Sequence, residues 1–579
     1  MPYLQGVMDA VNDPAVTDIV FMSGAQVGKS EAILNIIGRQ MHLDPCPMLM
    51  LQPTLEMAEA FSKDRIAPML RDTPALRGLV RDARSRDSGN TLLQKIFPGG
   101  HLTLAGANSA ASLASRPIRI VLKDEVDRYP VSAGTEGDPS ALADKRTATF
   151  YNAKRIAVST PTIKGKSRIE AAYLQSDQRR FWVPCVHCGE HQVLRWANVR
   201  WPDGQPAKAA YVCEHCGAEI GDHQRVQMVR RGEWRAGAPF NGTAGFHINE
   251  LYSSWSLMAE IVDRFIKAKP YPERLKTWVN TTLGEVWEQD GDSSDPEGLE
   301  SRAEPYALRT VPAGALLLQI TTDVQKDRLE VAIWGFGRGE QAWIIDTHVI
   351  HGDPDKDDVW DQLLEYCARP MDHELGGQIV PPSVFIDSGG LSTQAVYNFC
   401  RDNKVRDIPG FGQQRFWALK GANTQTAPIL GTPSLVDVDV NGRKIKGGVK
   451  LWPVGSYAAK GLVYGRLKIG EPGPGYIHFS ADLPPAFYQQ LTAERLVTKY
   501  VKGFPRFEWH LPDGARNEQL DLCAYAFAGA YQQGMGRFND SDWDRLEHSL
   551  MRKPAALEAK KPKKRIVSPF EPEGWSERL

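Results

Sequence analysis

The sequence predicts an α/β protein built on two successive sheets, the first parallel and doubly wound. Three observations carry this prediction. The 579 residues exceed the roughly 250–300 at which a single hydrophobic core stops growing. Through the first third, short apolar strands alternate with amphipathic helices, the rhythm of a parallel sheet covered by helices on both faces. Beyond a polar stretch around Asp290–Pro305, three strands follow one another with short polar connections, which is the rhythm of an antiparallel meander.

Composition narrows the class. Hydrophobic residues make up 42% and charged residues 24%, inside the globular range. No apolar run approaches the ~20 residues that cross a bilayer, and Met1–Ala10 lacks a basic segment followed by an apolar one. The expectation is a protein that is neither exported nor membrane-inserted. Lys and Arg total 69 against 70 Asp and Glu, which excludes a partner held by bulk positive charge but leaves room for a local basic groove. Eight cysteines are too few for a disulfide scaffold in a chain of this length.

The first domain is expected over 1–295. Asp18–Met22 reads as a buried strand, Lys29–Met41 as a helix and Met48–Leu51 as a second strand. Ile118–Leu122 and Ile156–Val158 are further strands that run into polar residues, where an open α/β sheet places its ligand. Residues 181–222 change to short pieces punctuated by Cys, Trp and Gly, an inserted module. A linker is expected over 296–312. In a second domain over 313–535, Leu316–Thr322, Leu329–Phe336 and Ala342–Val349 form the meander. A helix near Val359–Cys367, a strand at Val384–Ile386, a helix near Thr393–Cys400 and a long helix from Asn517 to Tyr531 follow. That order suits a ribonuclease-H-like domain. Residues 536–579 form a basic tail, with Arg552, Lys553, Lys560, Lys561, Lys563, Lys564 and Arg565 interleaved with proline.

Between the first strand and first helix lies Ser23-Gly24-Ala25-Gln26-Val27-Gly28-Lys29-Ser30, a phosphate loop in the context that such a loop requires. Gly28 lets backbone N–H groups turn toward phosphate, Lys29 reaches the β- and γ-phosphates, and Ser30 offers its hydroxyl to Mg2+. The first glycine of the usual pattern is replaced by Ser23, Gly24 follows one place late, and Gln26 stands where an arginine would be useful. The apolar Ile120-Val121-Leu122 run leads through Lys123 into Asp124 and Glu125. Asp124 is expected to hold Mg2+ through water and Glu125 to orient the attacking water. A third strand ends in Ser159-Thr160-Pro161-Thr162, whose hydroxyls are placed to sense the γ-phosphate. Arg65 and Arg116 are the candidates for a cation at the transition state.

Cys185-x-x-Cys188 and Cys213-x-x-Cys216, each followed by glycine, offer four thiolates from two tight turns. All-thiolate tetrahedral coordination is closed, so the spacing predicts a zinc ribbon with one structural Zn2+. Cys46, Cys367, Cys400 and Cys523 are isolated and expected to be buried.

A second chemistry is read from three separated carboxylates. Asp323 ends the first strand of the second domain, Asp387 ends Val384–Ile386, and Asp521 lies on the last long helix. Strand ends that meet one helix face can gather remote acids around two Mg2+ or Mn2+ ions for phosphodiester hydrolysis. Glu518 lies one turn before Asp521 as an auxiliary ligand. Between the second and third acids, the run Arg443–Lys450 and the later Lys460, Arg466 and Lys468 mingle with Trp452, Tyr457 and Tyr464. Lys460 and Arg466 are the residues expected to touch a DNA backbone.

Taken together, these features resemble the large subunit of tailed-phage terminases, in the lambda-like branch. The resemblance rests on the phosphate-loop variant, Gly106-Ala107-Asn108-Ser109 with Ser115-Arg116-Pro117, and Asp124-Glu125-Val126-Asp127. It also rests on Ser159-Thr160-Pro161, the paired cysteines, Asn280-Thr281-Thr282-Leu283-Gly284 and Asn517-Glu518-Gln519-Leu520-Asp521. It implies an N-terminal ATPase that drives double-stranded DNA into a procapsid with ATP and Mg2+, followed by an endonuclease that cuts concatemers. By position, Lys29, Ser30, Asp124 and Glu125 resemble the motor residues, and Asp323, Asp387 and Asp521 the nuclease ligands. The implied partners are double-stranded DNA, the portal protein, the small terminase subunit and further copies in a ring on the portal, in the host cytoplasm. Pro2-Tyr3-Leu4-Gln5 leads almost at once into the first strand, where relatives carry an upstream segment. Two other readings predict different activities: a helicase-like or repair ATPase with an inactive ribonuclease-H fold, and a non-catalytic protein that bridges DNA to a capsid.

Overall fold

The computed structural model describes residues 1–80, 90–109, 117–288, 295–390, 392–422, 424, 426–440, 443–501 and 504–551. They divide into two compact units, Met1–Asp292 with Leu496–Trp509, and Ser293–Arg495 with His510–Leu579.

The strands of the first unit are β1 (Asp18–Ser23), β2 (Pro47–Gln52), β3 (Gln94–Phe97), β4 (Gly100–Gly106), β5 (Ile120–Asp124), β6 (Lys154–Ser159), β7 (Arg179–Pro184) and β8 (His191–Val193). They continue with β9 (Val199–Arg200), β10 (Ala210–Val212), β11 (Glu219–Ile220), β12 (Glu233–Arg235) and β13 (Thr243–Ile248). Ten of them form one sheet in the order β12-β7-β13-β1-β6-β5-β2-β4-β3, with β8 on β7. From β7 to β4 every neighbouring pair is parallel. Such strands are apolar on both faces because helices cover both, and β1 shows the division. Ile19 and Phe21 join one core cluster with Ile33, Ile36, Ile37 and Met41 of the helix α2 (Lys29–Leu43). Val20 and Met22 point the other way, into a cluster with Val121, Ile169 and Tyr173. Each such aliphatic side chain removed from water contributes ~1.5–3 kcal/mol.

The cysteine-rich module departs from the expected insertion over 181–222. Its first hairpin, β7–β8, belongs to the central sheet, because β7 pairs in parallel with β13 and antiparallel with β12. Only β9–β11 form a separate three-stranded sheet.

The second unit carries β14 (Thr310–Val311), β15 (Leu317–Val324), β16 (Arg328–Phe336), β17 (Ala342–His351), β18 (Met371–His373), β19 (Gln378–Ile379) and β20 (Ser383–Asp387). After them come β21 (Val405–Ile408), β22 (Gly412–Ala422), β23 (Ser434–Val440), β24 (Arg443–Gly455) and β25 (Ile477–His478). Its main sheet runs β23-β24-β22-β20-β15-β16-β17-β25, with β21 on β22. The β15–β17 meander is antiparallel, and β20, β22 and β24 add in parallel beyond it. This is the mixed α/β order that the sequence predicts. The helix Glu518–Gln532 lies against it, with the Gln319 amide of β15 bonded to the Ala526 carbonyl.

Three boundaries differ from expectation. The stretch read as a linker over 296–312 is part of the second unit: Pro296–Glu300 is helical, and Arg302 donates to the carbonyls of Leu467 (2.9 Å) and Ile469 (2.8 Å). The tail read from 536 is folded up to Met551. A helix over Asp540–Met551 buries Trp543 on Phe538, and Arg338 binds Asp544 and Glu547. The basic residues from Arg552 onward lie outside the described residues. Finally, the hairpin β26 (Arg495–Val501) and β27 (Phe504–His510) groups with the first unit, although its sequence lies within 313–535. Among the described residues no helix is long and apolar enough to cross a membrane.

Candidate functional site

In the first unit, β1, β6 and β5 are neighbours, so their C-terminal ends bring Ser23, Ser159 and Asp124 to one edge. The connection from β1 to α2 turns through left-handed backbone at Gln26 (φ +57°) and Gly28 (φ +90°). At Gly28 a side chain would be strained, and its Cβ would lie 2.6 Å from Met1 Cε. The loop is held from outside by the Asn280–Gly284 motif: Ala25 N–H donates to the Thr281 carbonyl at 2.5 Å, and a Cβ on Gly24 would lie 2.8 Å from the same oxygen.

Lys29, on the first turn of α2, is buried and its Nζ lies 2.9 Å from Glu125 Oε1. The hydroxyls of Ser159 and Thr160 donate to Glu125 Oε2 at 3.4 and 3.2 Å. Burial pushes the Glu125 carboxyl up, but the charge and hydrogen bond of Lys29 outweigh it, and the group sits below its ordinary value. Asp124 behaves oppositely: burial and the adjacent Glu125 charge push its carboxyl up to about 6, against a 3.0 Å hydrogen bond from Gln52. Gln52 was missed in the sequence, where its only signal is a polar residue ending the apolar strand next to β5. Arg128 was missed as well; its Nε lies 3.9 Å from Glu125 Oε2. Of the two arginines proposed as transition-state cations, Arg65 is exposed on the turn Ser62–Ile66, and Arg116 lies outside the described residues.

The four paired cysteines converge. All four Sγ atoms lie within 4.8 Å of one another, with Cys185–Cys216 at 4.0 Å and Cys188–Cys213 at 3.9 Å. A tetrahedron of Zn–S bonds of ~2.3 Å has edges of about 3.8 Å, so the donor set fits Zn2+. Both turns are built alike: the N–H groups of Gly189 and Gly217 bond to the carbonyls of Cys185 and Cys213 at 2.9 and 3.0 Å, and both glycines have positive φ. Cys46, Cys367, Cys400 and Cys523 are buried and free.

In the second unit, β15 and β20 pair in parallel with Thr322 opposite Ile386, which puts Asp323 and Asp387 at adjacent strand ends. Asp521 reaches the same region from the helix Glu518–Gln532. Burial, then the charges of Asp387 and Asp521, push Asp323 up to about 7. Burial also drives Asp387 up to about 6, with Asp521 adding repulsion against hydrogen bonds from the Gly389 N–H and the Tyr525 hydroxyl. Asp521 is raised by burial, in spite of Lys460.

Two expectations about cations are corrected here. Lys460 is not a surface contact for DNA: it is buried, and its Nζ bridges Asp521 Oδ1 (2.8 Å) and Glu494 Oε1 (2.5 Å). Arg466 is fully buried, paired with Glu340 Oε2 at 2.6 Å and stacked over Phe527. An unpaired buried cation is costly, so both long side chains turned inward to acids far away in sequence. Glu518 is likewise engaged elsewhere, accepting from Arg328 (2.7 Å) and Arg516 (3.1 Å). Asn517, quoted in the sequence only as part of the Asn517–Asp521 motif, donates to Glu494 Oε1 (2.6 Å) and Asp521 Oδ2 (2.8 Å), and with Glu494, which was not singled out in the sequence, it completes the cluster.

A phosphate loop beside a carboxylate pair, and a second unit gathering three repelling carboxylates, define a nucleotide-hydrolysing protein joined to a metal-dependent nuclease. The ATPase domain of the phage terminase large subunit gpA matches residues 1–234, and the endonuclease domain of the same protein matches 243–543. The terminase large subunit of Enterobacteria phage P21 is 31% identical over 566 residues, spanning 91% of this chain and 85% of that protein. That of Escherichia phage lambda is 30% identical over 564 residues with the same coverage. Among solved structures, the large terminase of a thermophilic bacteriophage aligns at 12% identity and a TM-score of 0.42, covering 91% of this chain and 98% of that one. The HK97 large terminase aligns at 12% identity and 0.31, covering 92% and 95%. The chain belongs to the phage terminase large subunit gpA family. It is therefore a DNA-packaging motor subunit with an ATPase domain and an endonuclease domain, which implies use of nucleotide and divalent metal.

Proposed function

We propose that the two sites divide the work of a packaging motor: ATP hydrolysis at the β1–β5–β6 edge moves double-stranded DNA into a procapsid, and a two-metal centre at Asp323, Asp387 and Asp521 cuts the concatemer. The observation that supports this most directly is the convergence, in each unit, of acids from separate strands on one strand edge.

For the motor, Lys29, Ser30 and the amides of Gln26–Gly28 would hold ATP with Mg2+, the ATP supplying the electrophilic phosphorus. Glu125, kept ionised beside Lys29, takes the proton of the attacking water. Asp124, positioned by Gln52, is the carboxylate for the Mg2+ side, and Thr160 holds the Glu125 carboxylate in place. For the nuclease, Asp323, Asp387 and Asp521 would hold two Mg2+ or Mn2+ ions, which polarise the scissile phosphate. The fit lies in the donor set: the charges of Asp387 and Asp521 raise Asp323, that of Asp521 raises Asp387, and a divalent cation would relieve this repulsion. Lys460 and Asn517 orient Asp521. The four cysteines would hold one structural Zn2+ that braces β7–β8 against the β9–β11 sheet.

Family membership supports the remaining assignments: portal protein and small terminase subunit as partners, a ring of copies on the portal, and the host cytoplasm as the place of action. The test is supercoiled-plasmid digestion with Mg2+ or Mn2+, run beside ATP turnover. Glu125→Ala should lower ATP hydrolysis by roughly 10²–10⁴-fold and spare nicking, and Asp387→Ala should do the reverse. Loss of both activities in each folded variant would refute the division.

A further inference from the structure

Trp255 is unused by the motor chemistry described above. It lies just beyond β13, ahead of the helix Met258–Ala268, and is 54% exposed, with Leu257 beside it at 49%. An exposed indole needs no protein partner, since water can satisfy its N–H. Yet Trp255 Nε1–H donates to the backbone carbonyl of Gln26 at 3.1 Å. Gln26 is the residue of the phosphate loop held in left-handed backbone without being glycine, so the bond ties the ring to a conformation that costs energy to maintain.

The position of this ring is specific. In the sheet, β1 is flanked by β6 on one side and β13 on the other. Glu125 is bonded to Ser159 and Thr160 at the end of β6, so hydrolysis belongs on the β6 flank. Trp255 follows β13, the strand on the opposite flank of β1, and reaches back to Gln26, which assigns it to the side where the non-reacting end of a nucleotide lies when its terminal phosphate faces Glu125. A planar apolar face fixed there by one hydrogen bond, and open to solvent, suits a flat aromatic ligand.

We propose that Trp255 is the platform on which the purine base of the nucleotide stacks, making it a residue that sets affinity for the nucleoside part. This rests on the reading of Ser23–Ser30 as the phosphate site. Calorimetric titration of the full chain with Mg2+ and either ADP or inorganic tripolyphosphate tests both at once. Trp255→Ala should weaken ADP roughly tenfold or more and leave tripolyphosphate within about threefold. Trp255→Phe loses the bond to Gln26 but keeps a ring, and should bind ADP within about threefold of the native chain. Equal weakening of both ligands by Trp255→Ala would show that the side chain only props the loop, and unchanged ADP affinity would show that no base stacks there; either overturns the proposal. Lys29→Ala should abolish binding of both ligands. If it does not, the phosphate site itself is misassigned, whatever Trp255 does.

Discussion

The two acidic sites differ in how their charge is balanced. In the first unit, Glu125 meets Lys29 at 2.9 Å and two hydroxyls, and its carboxyl stays below its ordinary value although buried. In the second, among the described residues, no Lys or Arg lies within ion-pair distance of Asp323 or Asp387. Their partners are Gln325, the Gly389 N–H and Tyr525, and both carboxyls are raised. Among the described residues, the one lysine of the cluster, Lys460, is spent on Asp521 and Glu494. The difference teaches that the first acidic site carries its own counter-charge, whereas the second keeps its repulsion, which under the proposed function a divalent cation would relieve.

The comparison breaks most readily at Lys29. Lys29→Met leaves Glu125 with only the exposed Arg128 at 3.9 Å as a cation, in a site mostly closed to water, and should lower urea stability toward the low end of the ~3–5 kcal/mol found for broken buried pairs. A neutral result would mean that Glu125 is not held by that pair. Next in size is the response to metal: Mn2+ at a hundredfold excess over its Kd should stabilise the chain by ~2.7 kcal/mol, and Asp387→Ala should remove most of that gain.

The pH dependence sharpens the contrast. Asp323 and Asp387 are raised to about 7 and about 6 from an ordinary value of 3.8, so the folded state keeps protons that the unfolded chain has lost. Their contribution to stability is full below pH 3.8 and fades as pH rises toward 7. Stabilisation by metal should accordingly be larger at pH 8 than at pH 5.5. In the metal-free protein at pH 8, Asp323→Asn should melt no lower than the native chain, the opposite sign to Lys29→Met. A lower melting temperature for Asp323→Asn in EDTA would overturn the repulsion account. The smallest effect belongs to Thr160→Val, which removes one hydrogen bond to Glu125 and should cost ~0.5–1.5 kcal/mol while leaving plasmid nicking unchanged.

Much of the site was legible because its signals are local. A strand, a glycine turn and a helix in immediate succession mark Ser23–Ser30, and two Cys-x-x-Cys pairs mark, by spacing alone, four thiols that converge within 4.8 Å. Asp124, Asp387 and Asp323 stand at or near the ends of apolar runs, so hydropathy placed them at strand termini. Lys460 and Arg466 were misread because nothing in a basic stretch says which cations meet an acid. The partners of Lys460 lie 34 and 61 residues further along, and that of Arg466 lies 126 residues back. Gln52 and Trp255 went unnoticed for the same reason: each acts through one contact with a distant segment.

By itself, then, the sequence determined the order of elements, the two sheets and the residue types at their edges, since periodicity and motif spacing are properties of adjacent residues. Only the tertiary structure decided which cations are buried, which carboxylates are neutralised and which repel. It also drew β7 into the central sheet and folded 536–551 onto the second unit. Those outcomes depend on the cost of removing charge and backbone polar groups from water, and that cost is settled by whichever remote group the fold brings within a few ångströms.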